Sequence, residues 1–303
     1  MSGVGVDGAD GSVRATVGLV GLGTMGGAMA RRLLASGVDV TVWNRSAGPV
    51  EEAVALGAVA AARPEDCFAA DVTISILAND ASVEAVFDEA TLAAARPGAV
   101  HVNMATVSLA AARRLAELHA LAGVEYLAAP VLGRAQVAEA GALNIVAAGS
   151  ETALERARGT LDLLGKRTWF LGERPEQANL VKIGVNFTLI HALQALAESI
   201  ALVESGGVDP RLFVDVLTDA AFTGSAYTGY GPMIADRRYS PPGFTVPLGL
   251  KDLGLTEAAA AELGVALPTA PTLRSMFESA LADEELARLD WSAIAEITRG
   301  MAA

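Results

Sequence analysis

The feature that most limits the fold of this chain is the alternation of apolar strand-like runs with helical segments between residues 15 and 172. The run TVGLVG is followed by TMGGAMARRLLASG, whose apolar residues recur at helical spacing until Gly37. The alternation continues through the runs VDVTVWN, DVTISIL, AVHVNM, VEYLAAPV, LNIVAAG and TWFLG. Runs that are apolar on both faces are typical of strands covered by helices on both sides. The pattern therefore predicts an α/β fold with a doubly wound parallel sheet.

The rest of the chain has no strand-like run after Gly172, and one long helix is predicted over 177–205. Shorter helices are predicted near 210–220, 248–263, 269–282 and 292–300, and the stretch 221–247, rich in Gly, Pro and Tyr, is predicted to be an extended loop. We therefore predict a flexible tail over 1–12, an α/β domain over 13–176 and an all-helical domain over 177–303.

The charge and the cysteine content of the chain exclude some classes of function. The formal net charge of −13 argues against broad contact with a nucleic-acid backbone, although it leaves room for a local basic pocket that binds a small anion. The single cysteine, Cys67, permits no intramolecular disulfide and favours a reducing compartment. The N-terminus lacks the regions of a signal peptide. We expect a cytoplasmic protein.

Neither a membrane span nor a metal site is predicted. The long helix is apolar but carries Lys182, His191 and Glu198, which a membrane span would have to bury in hydrocarbon. The three histidines have no metal-ligand spacing with acidic residues.

Three glycines predict a dinucleotide-binding loop. Gly21, Gly23 and Gly26 form the pattern G-x-G-x-x-G directly after a predicted strand and at the start of a helix. The first glycine allows a tight turn, the second lets a pyrophosphate approach the backbone, and the third lets helix and strand pack closely. The helix N-terminus offers free N–H groups to phosphates. Leu22, Thr24 and Met25 belong to the same loop and complete the expected cofactor contacts.

The end of the second predicted strand indicates which dinucleotide is preferred. An acidic residue here would accept a hydrogen bond from the ribose 2′-hydroxyl of NAD. The chain instead has Asn44, Arg45 and Ser46, and a guanidinium can form a fork with a 2′-phosphate. NADP is therefore expected rather than NAD, whereas the alternative is a surface arginine in a turn.

A lysine and an asparagine lie on one face of the long predicted helix. Lys182 and Asn186 are four residues apart in the otherwise apolar run NLVKIGVNFTLIHAL. Lysine is rarely buried without a partner or a function. The lysine therefore needs a partner or a task that the spacing alone does not name, or else it is a lysine whose charged end reaches solvent at a helix edge.

Five motifs follow one another along the chain: GLVGLGTMGGAMARRL, VNMATVS, APVLGRAQVAEAGAL, KIGVNF and FTVPLGLKDLGL. On these motifs the chain resembles the β-hydroxyacid dehydrogenase family over about residues 15–300. This family includes 3-hydroxyisobutyrate dehydrogenases, tartronate semialdehyde reductases and glyoxylate/succinic semialdehyde reductases. The resemblance implies a Rossmann-type domain followed by a helical one, and a homodimer or homotetramer formed through the helical domain.

The resemblance also implies roles for residues of this chain. Lys182 would lie in a cleft beside the nicotinamide and exchange a proton with the substrate oxygen, and Asn186 would bind substrate. Lys251, next to Asp252, would close over the cofactor, or else the two form an exposed pair at a helix start. Further cofactor contacts are expected from Leu77, Ala78, Asn79 and Thr106 after the fourth and fifth strands, where Asn79 is equally suited to capping the next helix.

The predicted substrate loop departs from the family pattern. The usual D-A-P-V-S-G-G is here AAPVLGR, with Leu132, Gly133 and Arg134 as the expected substrate contacts. Arg134 either supplies a charge to the substrate or is solvated beside Glu139. The usual D-S-S-T after the fifth strand is here NMAT, so a serine hydroxyl is absent. These changes leave the substrate open and favour a more apolar pocket.

The sequence as a whole predicts an NADPH-dependent reductase, or the reverse dehydrogenase, that acts on a small carbonyl or hydroxy acid. An imine reductase is the first alternative, supported by the altered loop and opposed by Lys182, because those enzymes usually carry Asp or Tyr at this position. A non-catalytic dinucleotide-binding module would not need the pair of Lys182 and Asn186. A 6-phosphogluconate dehydrogenase is disfavoured because the predicted helical domain is too short.

Overall fold

A computed structural model describes residues 15–301, and the tail predicted over 1–12 lies outside this part. The chain divides into two compact units, Met1–Asn179 and Leu180–Ala303, and each is described by itself. The functional division predicted from the sequence at 176/177 stays a prediction.

The first unit is a twisted sheet with helices. Its strands are β1 (Thr16–Val20), β2 (Asp39–Trp43), β3 (Val59–Ala60), β4 (Val72–Ser75), β5 (Val100–Asn103), β6 (Glu125–Ala128), β7 (Val131–Leu132), β8 (Leu143–Gly149) and β9 (Gly165–Phe170). Its helices are α1 (Thr24–Ala35), α2 (Ala47–Ala55), α3 (Asp80–Val86), α4 (Glu89–Ala93), α5 (Leu109–Leu121), α6 (Ala135–Glu139) and α7 (Glu151–Leu164). The predicted α/β class is confirmed.

The order of the strands indicates at which edge this sheet is expected to bind a ligand. Strands β3, β2, β1, β4, β5 and β6 lie side by side in that order and are all parallel. The chain order runs outward from β1 in one direction and from β4 in the other, so the two strands form a topological switch point. Doubly wound sheets bind ligands at such a point, beyond the carboxyl ends of the strands.

One part of the sheet differs from the purely parallel prediction. Strand β8 is antiparallel to β6 and to β7, and only β9 continues parallel to it. The physical reason is the short connection between β7 and β8, residues 133–142, which contains only α6. A parallel crossover has to return the chain along the full strand length. The five residues of α6 extend only about 7.5 Å, which is too short for that return.

The second unit is helical, and its first helix begins inside the first unit. The helices are α8 (Glu176–Ser205), α9 (Pro210–Ala220), α10 (Ser225–Ala235), α11 (Val246–Leu263), α12 (Ala270–Ala282) and α13 (Ile294–Met301). Ile190, Leu193 and Ile200 of α8 are fully buried in the core of the second unit. Among residues 15–301, α8 alone has the length and composition of a membrane span, a test that core helices also pass.

The extended loop predicted over 221–247 is wrong for part of its length, because Ser225–Ala235 is helix α10. Pro232 lies inside this helix and removes a backbone donor, which is why the local sequence did not indicate it. Tertiary packing compensates for this loss: Tyr230 and Ile234 are buried, and Nε1 of Trp291 donates to the hydroxyl of Tyr230 at 2.8 Å.

Candidate functional site

The connection between β1 and α1 has the geometry that its glycines predict. Gly21 has a φ of 95°, which favours glycine, and a Cβ on Gly26 would overlap the carbonyl oxygen of Gly21. A Cβ on Gly23 would meet no atom within 4 Å, so this glycine leaves an open surface above the loop. Gly21 and Gly26 thus serve the fold, whereas Gly23 leaves room for a ligand.

The start of α1 provides donors for an anion. The N–H groups of Gly23, Thr24, Met25 and Gly26 have no acceptor among residues 15–301. The positive end of the helix dipole adds to these donors, so the arrangement fits the pyrophosphate of a dinucleotide. The N–H of Leu22 is already used, because it donates to Oδ1 of Asn44 at 3.0 Å.

Asn44 has a role that sequence reasoning missed. Besides accepting from Leu22, its Nδ2 donates to the carbonyl oxygen of Ser46 at 3.0 Å. The amide therefore ties the glycine loop to the turn after β2. A carboxylate could accept from Leu22 but could not also donate to Ser46. Arg45 is exposed, and its guanidinium has no partner within the described residues.

The residues after β4 lie at the switch point of the sheet, and those after β5 lie one strand farther along. Leu77 is half-buried, and Ala78 and Asn79 are exposed. Oδ1 of Asn79 accepts from the backbone of Ser82 at 2.9 Å, so the capping role considered for it is observed. Thr106 is half-buried after β5.

A buried chain of hydrogen bonds lies beneath these residues, and the sequence did not indicate it. Ser75 Oγ is 2.8 Å from His101 Nε2, and His101 Nδ1 is 2.7 Å from His119 Nε2. His119 Nδ1 is 2.6 Å from the carbonyl oxygen of Leu115, which can only accept. His119 therefore donates to Leu115, His101 donates to His119, and Ser75 donates to His101. The chain joins β4, β5 and α5.

Both histidines of this hydrogen-bonded chain, His101 and His119, are neutral near pH 7. Burial lowers the pKa of His119 to about 4 and holds the pKa of His101 well below its usual range, where the neighbouring His119 also lowers it. No group of three His, Cys, Asp or Glu side chains suited to a metal ion is found among residues 15–301.

The predicted substrate loop lies at β7 and the start of α6. Leu132 is half-buried, and Gly133 has a φ of 143°, a conformation that favours glycine. Arg134 is half-buried at the N-terminal cap position of α6. Glu139 forms an ion pair with Arg31 at 3.1 Å.

In the second unit, Lys182 and three other polar side chains are connected by two hydrogen bonds and an ion pair. Nζ of Lys182 donates to Oδ1 of Asn186 at 3.0 Å, and Nδ2 of Asn186 donates to Oδ2 of Asp252. Oδ1 of Asp252 is 2.9 Å from Nζ of Lys251. Asn186 and Asp252 are almost fully buried, whereas Lys182 and Lys251 are half-buried. Asp252, which sequence reasoning treated only as the neighbour of Lys251, is thus part of the lysine cluster.

The cluster adjusts the acidity of Lys182. Burial lowers the pKa of the Lys182 ammonium to about 8; the carboxylate of Asp252 opposes this shift, and the charge of Lys251 adds to it. A group with this pKa can both give and take a proton near neutral pH, which an ordinary lysine cannot do efficiently.

Two family models match the chain. Residues 16–172 match the NAD-binding domain of 6-phosphogluconate dehydrogenase, and residues 177–298 match the NAD-binding region of NADP-dependent 3-hydroxyisobutyrate dehydrogenase.

Individual proteins show the same similarity. The oxidoreductase YfjR of Bacillus subtilis is 37% identical over 92% of this chain and 98% of its own length. Glyoxylate/succinic semialdehyde reductase 1 of Arabidopsis thaliana is 32% identical over 93% of this chain and 98% of its own length. The crystal structure of 3-hydroxyisobutyrate dehydrogenase from Salmonella typhimurium has a TM-score of 0.84 at 29% identity, covering 93% of this chain and 99% of that one. The structure of a reductive aminase from Aspergillus terreus in complex with NADPH4, cyclohexanone and allyl amine has a TM-score of 0.60 at 28% identity, covering 95% of this chain and 100% of that one.

Proposed function

The chain belongs to the β-hydroxyacid dehydrogenase family and is an NAD(P)-dependent oxidoreductase, and we propose that it is an NADPH-dependent reductase of a small carbonyl acid. In the reverse direction it would oxidise the corresponding hydroxy acid. We propose Lys182 as the group that exchanges a proton with the substrate oxygen. We propose that Asn186 orients both the Lys182 side chain and the substrate.

The observation that supports this proposal most directly is the chain Lys182–Asn186–Asp252. Carbonyl reduction develops negative charge on oxygen, and an ammonium with a pKa of about 8 stabilises that charge and neutralises it by proton transfer. Asn186 receives one N–H of the ammonium and is itself held by Asp252, so the direction of the Lys182 side chain is fixed. The remaining N–H bonds of Lys182 stay available for a substrate oxygen.

The residues of the first unit support a dinucleotide as the cofactor. When bound, the nicotinamide would supply or accept the hydride. Gly23 and the N–H groups at the start of α1 would hold the pyrophosphate, and Arg45 would bind the 2′-phosphate that distinguishes NADPH. Leu77, Ala78, Asn79 and Thr106 remain proposed cofactor contacts of the first unit, and Lys251 remains a proposed cofactor contact of the second unit.

The test is Lys182→Ala, assayed by NADPH oxidation over small aldehyde acids and keto acids. We expect kcat to fall about a hundredfold or more while the Kd for NADPH is nearly unchanged. Lys182→Arg should not restore turnover, because guanidinium does not release its proton near neutral pH. Lys166→Ala, at an exposed lysine of β9, is the matched control and should leave both values unchanged. Near-normal turnover by Lys182→Ala would remove the proposed proton transfer.

Reduction of a small imine is a second candidate, supported by the similarity to the reductive aminase and by the altered loop at Leu132, Gly133 and Arg134. Including cyclic imines in the same screen separates the two. Turnover of imines without turnover of carbonyl acids would favour this candidate.

We also propose a cytoplasmic homodimer or homotetramer that forms through the helical unit. Leu202, Leu212 and Val216 are 74%, 57% and 58% exposed, which is unusual for large apolar side chains on neighbouring helices. Light scattering on the purified protein gives the subunit number. Leu212→Glu with Val216→Glu should shift the protein toward the monomer.

A further inference from the structure

Asn179 is a buried amide near the cofactor-binding edge of the first unit, and neither the motifs nor the proposed mechanism uses it. It lies in the first turns of α8, three residues before Lys182, and is 1% exposed. Its neighbour Ala178 packs in the same core cluster as Ala105 and Val107, which follow β5. Asn179 therefore lies against the segment that contains Thr106.

One half of the amide has a clear structural task. The backbone N–H of Val107 donates to Oδ1 of Asn179 at 3.2 Å. Because that backbone group can only donate, the atom facing it has to be the oxygen, and the orientation of the amide is fixed. Nδ2 consequently faces away from the Val107 N–H.

The other half of the amide lacks a partner in the described part of the chain. Nδ2 of Asn179 is buried and makes no hydrogen bond there. Burying a donor without an acceptor destabilises a fold, so such groups are rare and call for an explanation. Two other buried side-chain atoms of the described residues also make no hydrogen bond. Oδ1 of Asp252 is compensated by the charge of Lys251, and Oε1 of Gln194 lies farther along α8.

The position of Asn179 indicates what the donor is for. It contacts the segment after β5, on the β4–β5 side of the switch point, whereas Asn44 and Arg45 lie after β2 on the other side. A dinucleotide bound across a switch point extends its two halves over the two sides. We infer that Asn179 is a cofactor-positioning residue: Oδ1 holds the Thr106–Val107 turn, and Nδ2 donates to an acceptor oxygen of the nicotinamide half. This inference rests on the proposed function, because it requires a dinucleotide.

The sharpest test is Asn179→Asp. This variant keeps the shape of the side chain and the oxygen that accepts from Val107, but it replaces the Nδ2 donor with a second acceptor oxygen. We expect the Kd for NADPH, measured by fluorescence titration without substrate, to rise about tenfold or more at pH 8. The Kd for adenosine 2′,5′-bisphosphate, which contains only the adenosine half, should stay unchanged. Below pH 6 the loss should become smaller, because a protonated carboxyl can donate again.

Two further variants separate this role from a structural one. Gln194→Glu makes the same change at another buried amide of α8 and should lower the melting temperature without altering the Kd for NADPH. Asn179→Ser, which carries no charge, repeats the comparison if the aspartate variant does not fold. Equal weakening of both ligands, or unchanged NADPH binding in a folded Asn179 variant, would overturn the inference and leave the proposed function intact. Absence of NADPH binding by the unmodified protein would overturn both.

Discussion

Asp252→Asn gives a direct measure of how the lysine cluster operates. The substitution keeps the shape of the side chain and an oxygen that accepts from Asn186, but it removes the negative charge that opposes the lowered pKa of Lys182. Two charges separated by one bridging amide are about 6 Å apart, and at an effective dielectric constant of about 20–40 they interact by about 1.4–2.8 kcal/mol. That energy corresponds to about one to two pKa units. We expect the pKa of Lys182 to fall from about 8 to between about 6 and 7.

The assay is the pH dependence of kcat at saturating NADPH and substrate. Reduction needs the protonated ammonium, so kcat for reduction should fall as the pH rises through about 8 in the unmodified protein. Oxidation needs the neutral amine and should rise through the same pH. In Asp252→Asn both transitions should move to lower pH by about one to two units.

Lys251→Gln provides the opposing control. Removing this cation abolishes a repulsion that lowers the pKa of Lys182, so the transition should move to higher pH. Damage to the fold would not shift two neighbouring variants in opposite directions. The reasoning fails if the transition of Asp252→Asn stays in place or moves upward, or if both variants shift the same way.

Two other predictions concern the first unit. Arg45→Ala should weaken NADPH binding by about 1.5–3 kcal/mol, roughly ten- to a hundredfold, and leave NADH binding unchanged; equal Kd values for the two cofactors in the unmodified protein would refute this. The pKa values of the two buried histidines are higher in the unfolded chain, so the unfolded chain binds protons at these positions more readily than the folded protein does. The stability that the neutral histidines give is therefore fully present above about pH 6.5 and is lost as the pH falls toward 4. The double variant His101→Leu with His119→Leu should therefore lose less of its melting temperature between pH 6.5 and 4.5 than the unmodified protein, and an identical loss would contradict the assignment.

The parts of the fold that depend on local constraints were predictable from the sequence. In the loop after β1, Gly21 and Gly26 are required by close contacts within the first unit, whereas Gly23 leaves open space, so each glycine of the pattern has a mechanical reason that the sequence indicates. Helix α10 and the antiparallel β8 were not predictable in this way. The first depends on packing between Tyr230 and Trp291, which are far apart in the chain, and the second on the length of a connection.

The candidate site shows the same difference between features set by local spacing and features set by contacts between distant residues. Helical spacing was enough to pair Lys182 with Asn186, because residues four apart share a face. The residue that adjusts the pair, Asp252, is 66 positions from Asn186 and meets it only through the packing of α8 with α11. The histidines 101 and 119 are 18 positions apart on a strand and a helix, so no spacing rule could indicate that they touch.

Substrate choice is where this distinction has the largest consequence. The proposed proton-transfer group, Lys182, is held by a helix and a buried carboxylate, so its chemistry should persist when the predicted substrate loop changes. The loop of Leu132, Gly133 and Arg134 has kept the glycine with a φ of 143° but has exchanged a hydroxyl for an apolar side chain and a small residue for a guanidinium. A pocket built to bind a hydroxyl rejects an analogue that lacks it far more strongly than an apolar pocket rejects an added methylene. A loop without the serine should therefore discriminate less by hydrogen bonding and more by shape and charge, with Arg134 favouring acids over neutral carbonyls.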